Sequence, residues 1–191
     1  MAVYAFRSVV LKFLSRHVDL LQCCKIEVVT AAILFLFPAG TVILVVEPQY
    51  FQLGNMTCEG NFFTLLVSVL ATNLPSALFL FAGIVTLGIA AGIGCVLLGM
   101  FLGFSVKVAV GTFGVGHVIV QTWIYTPFEV YGFILAGASG LVVARRILIL
   151  GESPCQAYQN ARSTALSLLA YSVIILVISA VIEATVAVFN I

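Results

Sequence analysis

Long uncharged stretches separated by short polar breaks set the pattern of this chain. Residues 28–46 carry no charge. At ~1.5 Å rise per residue they are long enough for a helix across a hydrocarbon core roughly 30 Å thick. Glu47-Pro48 ends that run. Residues 62–106 form a longer one, again without charge, and Asn73-Leu74-Pro75 divides it. Proline opens a helix readily and breaks one that precedes it. This predicts a short helix at the outer interface over 62–72 and one long span over 75–106. A division into two full spans instead gives six crossings and inverts everything downstream. Residues 108–144 carry only Glu129 and lead into Arg145-Arg146, which fits two short spans turning near Thr126-Pro127. Ser153-Pro154-Cys155-Gln156 reads as a capping box with proline in the first helical position. The helix it opens carries Arg162 at the surface and continues as the last span over 165–189.

Ahead of the first run, Phe6, Val10, Phe13, Leu20 and Cys24 fall near one helical face. Arg7, Lys12, Ser15, Arg16, Asp19 and Gln22 lie largely opposite. Residues 1–26 therefore read as a basic amphipathic helix on the membrane surface, or as a cytoplasmic lead-in helix without lipid contact. The basic interruptions, with no small-residue cleavage site after them, argue against a signal peptide. The loop over 47–61 has two acids and no bases. The positive-inside rule then puts the N-terminus, Lys107, Arg145 and Arg146 in the cytoplasm, and Cys58 and the C-terminus outside. Asn55-Met56-Thr57 matches the N-glycosylation sequon on the side where it can be used.

The expected fold class is all-α: a polytopic membrane helix bundle of about five transmembrane helices over 27–191. The N-terminal amphipathic helix and the short outer interfacial helix accompany it. Composition strengthens this, since 63% of residues are apolar and 8% charged, against roughly 25% charged in soluble domains. A net charge of +1, without a basic patch, speaks against nucleic acid as a partner. The five cysteines show no metal-ligand spacing, and adjacent Cys23 and Cys24 exclude a CxxC motif. They read as small apolar filler, with palmitoylation of Cys23/Cys24 the alternative.

Glycine reads as a packing residue. Gly88/Gly92 and Gly99/Gly103 each form GxxxG, and Gly132/Ala136/Gly140 extends a small-xxx-small pattern. Such faces let helices approach closely in lipid, where dispersion and weak hydrogen bonds replace the hydrophobic effect. Charges inside hydrocarbon are expensive, by ~2.5–3.5 kcal/mol at a helix centre on insertion scales, so Glu129 and Glu183 stand out. With Asn73 they fall at the outer end of the expected bundle, where hydrogen bonds, water, a cation or protonation must satisfy them. His117, Gln121 and Tyr125 follow i, i+4, i+8 spacing and make one polar stripe, with His117 near the bilayer midplane. Among these six polar residues, His117 with the glutamates suits a proton relay or a metal site, and interhelical hydrogen bonding that fixes the bundle is the other reading. One histidine and two acids without HxxE or HExxH spacing suggest no metal and no cofactor.

Three segments resemble the stage II sporulation protein M family of prokaryotic integral membrane proteins. Thr72-Asn73-Leu74-Pro75-Ser76-Ala77-Leu78 running into Phe81-Ala82-Gly83-Ile84-Val85-Thr86-Leu87-Gly88 resembles the family's Asn-rich lead-in to an aromatic-x-Gly-Ile-x-x-x-Gly span. Phe128-Glu129 through Ile134-Leu135-Ala136-Gly137-Ala138-Ser139-Gly140 is similar to its glutamate followed by an alanine-glycine helix. Ala180-Val181-Ile182-Glu183-Ala184 resembles its closing Ile-Glu-Ala. The resemblance spans roughly residues 60–191. It departs where the family usually has Pro-His-Gly before the glutamate, because this chain has Ile124-Tyr125-Thr126. The resemblance implies a membrane platform for partner proteins, the namesake belonging to a complex that remodels cell wall and membrane. The expected function is a non-catalytic scaffold or accessory subunit, in contact with lipid and with partner membrane or membrane-associated proteins, a second copy among the possible partners. A small transporter or channel subunit using Glu129, Glu183 and His117 is the alternative.

Overall fold

The computed structural model describes residues 2–46 and 61–189, and within these every regular element is helical. The order is α1 (Ala2–Cys23), α2 (Lys25–Val45), α3 (Phe62–Phe81), a 3-10 turn (Ala82–Ile84), α4 (Ile89–Phe113), α5 (Val115–Thr122), α6 (Thr126–Leu150) and α7 (Pro154–Phe189). Five are long and apolar enough to cross a membrane: α2, α3 with its 3-10 extension, α4, α6 and α7. The protein is a multi-pass membrane protein. Asn55 and Cys58 lie outside the described residues.

The five spans are divided differently from the expectation. Residues 62–72 are not a separate interfacial helix, because α3 continues through Asn73-Leu74-Pro75. In a span, neighbouring helices and hydroxyl side chains re-satisfy the backbone that proline disrupts. Here the Ser76 hydroxyl donates to the Thr72 carbonyl at 2.9 Å, and Asn73 is tied to α6. The chain instead turns at residues 82–88, where Leu87 (φ 53°) and Gly88 (φ 87°) adopt left-handed conformations. A methyl on Gly83 would stand 2.6 Å from the Ala91 Cβ, so the turn needs glycine for space as well. Residues 108–144 do not make two spans either. Their first part completes α4, the eight-residue α5 is too short to cross, and α6 begins at Thr126 as expected from Thr126-Pro127. The short helix of the bundle is thus α5. Ser153 caps α7 as expected, with the Gln156 backbone N–H reaching its hydroxyl at 3.5 Å and Pro154 opening the helix, but the Gln156 side chain accepts from that hydroxyl at 3.1 Å rather than from the Ser153 backbone.

Side-chain contacts fix the relative directions of the helices. Gly99 meets Phe35, Gly103 meets Ala39, and the Lys107 Nζ donates to the Ile43 carbonyl at 2.8 Å. Both numbers rise together, so α2 and α4 are parallel. At the other end Glu27 holds Arg145 at 3.0 Å, which makes α6 antiparallel to α2. Lys107 and Arg145 therefore lie at opposite ends of the bundle, and the expectation of both on one side is overturned. Splitting residues 62–106 into two spans carried Lys107 across.

Helix α6 is the hub, packing on α2, α3, α4 and α7. Residues 132–140 are buried without interruption, the mark of a helix enclosed on all sides. Gly132 takes the Leu176 side chain, Gly137 faces Cys95, and Gly140 meets Leu80, Ala91 and Gly83. Gly88 also packs, against Ala144, as the left-handed cap of α4. Gly92 is a correction: nothing lies within 4 Å of the space a side chain there would occupy. The Gly88/Gly92 pair is not a contact face, because Gly88 belongs to the turn rather than to the regular face of α4.

Candidate functional site

Asn73 and Glu129 meet at the end of the bundle where α6 begins. The Asn73 amide donates to the Glu129 Oε1 at 2.9 Å. Asn73 is buried at 5% exposure in the middle of α3, and Glu129 occupies the first turn of α6. That turn carries the positive end of the helix dipole, which favours a carboxylate, while its Phe128 and Glu129 N–H groups donate to the Tyr125 carbonyl. Glu183, half-buried on α7, stands within electrostatic reach of both Glu129 and Tyr125. The Tyr125 carbonyl accepts a hydrogen bond from the buried Ser179 hydroxyl at 3.0 Å, stitching the start of α6 to α7. A cleft of about 200 Å³ opens beside the pair, with Asn73, Ser76, Ser105 and Glu129 among apolar walls from Phe35 and Phe101.

The structure thus brings Asn73, Glu129, Glu183 and Tyr125 together. It leaves His117 out. That residue is exposed on α5 beside Phe113, with ring centroids 5.6 Å apart. α5 ends at Thr122, so the expected stripe through half-buried Gln121 to Tyr125 is not continuous, and His117 does not lie midway along a span. Among the described residues no three His, Cys, Asp or Glu side chains are grouped to hold a metal ion. The arrangement can hold a carboxylate by a neutral donor and a helix end, beside a small cleft, without a basic partner among the described residues.

Two further polar groupings escaped sequence reasoning. At the opposite end Arg145 donates to both Glu27 carboxylate oxygens, at 3.0 and 3.2 Å, and to the Cys23 carbonyl. Arg146 is held by Glu152 at 2.8 Å, and Asn160 donates to the same carboxylate. A glutamate immediately ahead of the uncharged run over 28–46 was the available signal for Glu27, which is 2% exposed. The nearby Cys24 thiol is pushed up to about 11, chiefly by burial. The second grouping docks α1. The His17 Nε2 lies 2.7 Å from the Tyr131 hydroxyl, its ring centroid 4.5 Å from that of Tyr171, while the Tyr171 hydroxyl donates to the Phe13 carbonyl. Burial holds the His17 imidazole below its ordinary value. Nothing in the spacing of α1 marks His17, because its partners come from α6 and α7.

No curated protein and no solved structure matched the chain. The family model for stage II sporulation protein M matches residues 30–188, a stretch running from the first span to the last and containing both Asn73–Glu129 and Glu183. By that match, which covers most of its length, the chain belongs to the stage II sporulation protein M family.

Proposed function

We propose that the protein is a non-catalytic membrane scaffold or accessory subunit that recruits or stabilises partner proteins in a membrane complex. The observation that carries this reading is how the bundle uses its polar side chains. Glu27 holds Arg145, Glu152 holds Arg146, Lys107 caps the α2 carbonyl of Ile43, and Asn73 holds Glu129. Groups that in an enzyme would meet a substrate meet the protein's own helices, and such links fix the arrangement of a bundle in lipid. Lys25, Arg145, Arg146 and Arg162 gather at the end where α2 and α7 begin, which supports that end as cytoplasmic and the C-terminus as outside. A photo-crosslinking residue at Leu14, exposed on α1, tests the reading in cells, with lipid-facing Ile93 on α4 as control. A discrete protein adduct from position 14 and none from position 93 is expected. Lipid adducts alone at both positions would oppose it.

The 200 Å³ cleft beside Asn73 and Glu129 favours a second reading, a small transporter or channel subunit. Proton or ion flux in proteoliposomes that Glu129→Gln abolishes, with the fold intact, would replace the scaffold by this reading.

A further inference from the structure

Helix α7 begins well before the membrane-crossing part of the bundle. The antiparallel α6–α7 pairing, with Ser172 on Gly132 and Ser179 on Tyr125, brings Arg162 level with the turn of α6 that carries Arg145. At this level a groove of about 570 Å³ lies between α7 and the end of α3 with its 3-10 turn. One wall is Phe81 and Val85, the other Tyr158, Arg162, Ser163 and Leu166. The apolar part faces outward, with Val85 73% and Leu166 54% exposed. Arg145 and Arg146 are each held by a carboxylate. Arg162 has no carboxylate partner among the described residues.

We infer that this groove binds one anionic phospholipid, its phosphate on Arg162 and an acyl chain along Val85 and Leu166. An exposed cation without an acid, at the boundary where the charged end of the bundle meets its apolar flank, is complementary to a lipid phosphodiester. The guanidinium offers a planar fork of donors suited to phosphate oxygens. The Ser163 and Tyr158 hydroxyls are further donors on the same wall. The apolar residues Val85 and Leu166 continue from that point along an exposed flank of the bundle suited to an acyl chain. A basic pocket between helices on the cytoplasmic side suits anionic head groups, and the apolar walls distinguish a lipid from a free phosphate.

Native mass spectrometry of the full chain in neutral detergent tests this with phosphatidylglycerol, phosphatidylcholine and inorganic phosphate as probes. Phosphatidylglycerol is expected to be retained about fivefold over phosphatidylcholine, the ratio that the ~1 kcal/mol of one cation near anionic lipid represents. Arg162→Ala should remove the preference. Val85→Asp keeps Arg162 and should remove it by repulsion, so the conclusion does not depend on one variant. Equal retention of the two lipids by the parent, or a preference unchanged in both variants, would overturn the site. Displacement of the lipid by millimolar inorganic phosphate would show a free-anion site instead. An equal loss with Arg16→Ala would show a diffuse basic surface, and would equally defeat it.

Discussion

Adding one methyl at Gly99 should open the α2–α4 interface, whereas the same methyl at Gly92 should be harmless. The Cβ of Gly99→Ala would enter the main-chain carbonyl of Phe35, deep inside van der Waals contact, and that of Gly103→Ala would meet the Ala39 carbonyl in the same way. Backbone cannot swing aside like a long side chain, so the two parallel helices must separate. Overpacking of this kind costs about 1–3 kcal/mol. Separation also draws the Lys107 ammonium from the Ile43 carbonyl, now at 2.8 Å, and a charged hydrogen bond is worth ~1.5–3 kcal/mol. The gain in helix propensity from glycine to alanine returns about 1 kcal/mol. The balance at Gly99 is a loss of ~2–4 kcal/mol, or a fall in melting temperature on the order of 10 °C. Gly92→Ala has open space and keeps only the propensity gain. Thermal unfolding in detergent, followed by size-exclusion of the remaining monodisperse protein, reads the difference. A Gly99→Ala protein as stable as the parent, or a Gly92→Ala protein equally damaged, would refute the assigned α2–α4 register.

Arg145→Ala should destabilise the bundle by about 3–5 kcal/mol, because it strands the Glu27 carboxylate, which is 2% exposed. The double variant Glu27→Gln/Arg145→Met should recover most of that loss in the same melting assay. Single cysteines at positions 107 and 145, in a chain otherwise free of cysteine, should react with an impermeant thiol reagent from opposite faces of the membrane; labelling of both from one face would contradict the helix directions. Docking of α1 should weaken as acidity increases. Burial lowers the His17 pKa below 6.5, so the neutral ring is the docked form, docking is complete above that value, and it is lost as pH falls through the lowered one. Protection of the α1 amides, relative to their intrinsic exchange at each pH, should then fall on acidification in the parent and stay constant in His17→Phe.

The number of spans was legible in the sequence because lipid leaves long uncharged runs, and the first and last spans were located closely. The middle of the chain was misdivided for a physical reason. Proline and charge mark helix ends in water, but Pro75 lies inside α3, whereas the real turn at residues 82–88 has neither, only apolar residues, glycine and Thr86. That turn satisfies its backbone locally, with the Gly88 N–H on the Gly83 carbonyl at 2.7 Å and the Ala90 N–H on the Thr86 hydroxyl at 3.0 Å, so a single threonine was its one polar signal. The Asn73–Glu129–Glu183 grouping was legible because intramembrane acids are rare enough to single out. His117 was misplaced because its spacing assumed a continuous helix through residue 122 and beyond. His17 was missed because its partners are remote in sequence.

The position of α6 has a consequence for how the protein is made. Spans leave the ribosome in order, and α2, α3 and α4 reach the bilayer before the helix that joins them. Among the described residues α2 and α3, neighbours in the chain, scarcely touch, while α3 finds its main partners in α6 and α7. The nascent chain therefore holds separately inserted helices in lipid, joined only through the α2–α4 and α3–α4 contacts, until α6 arrives and draws them together. The glycines of residues 132–140 thereby act as a late keystone in biogenesis, and a stalled chain ending before Thr126 would offer membrane quality control a set of loose spans.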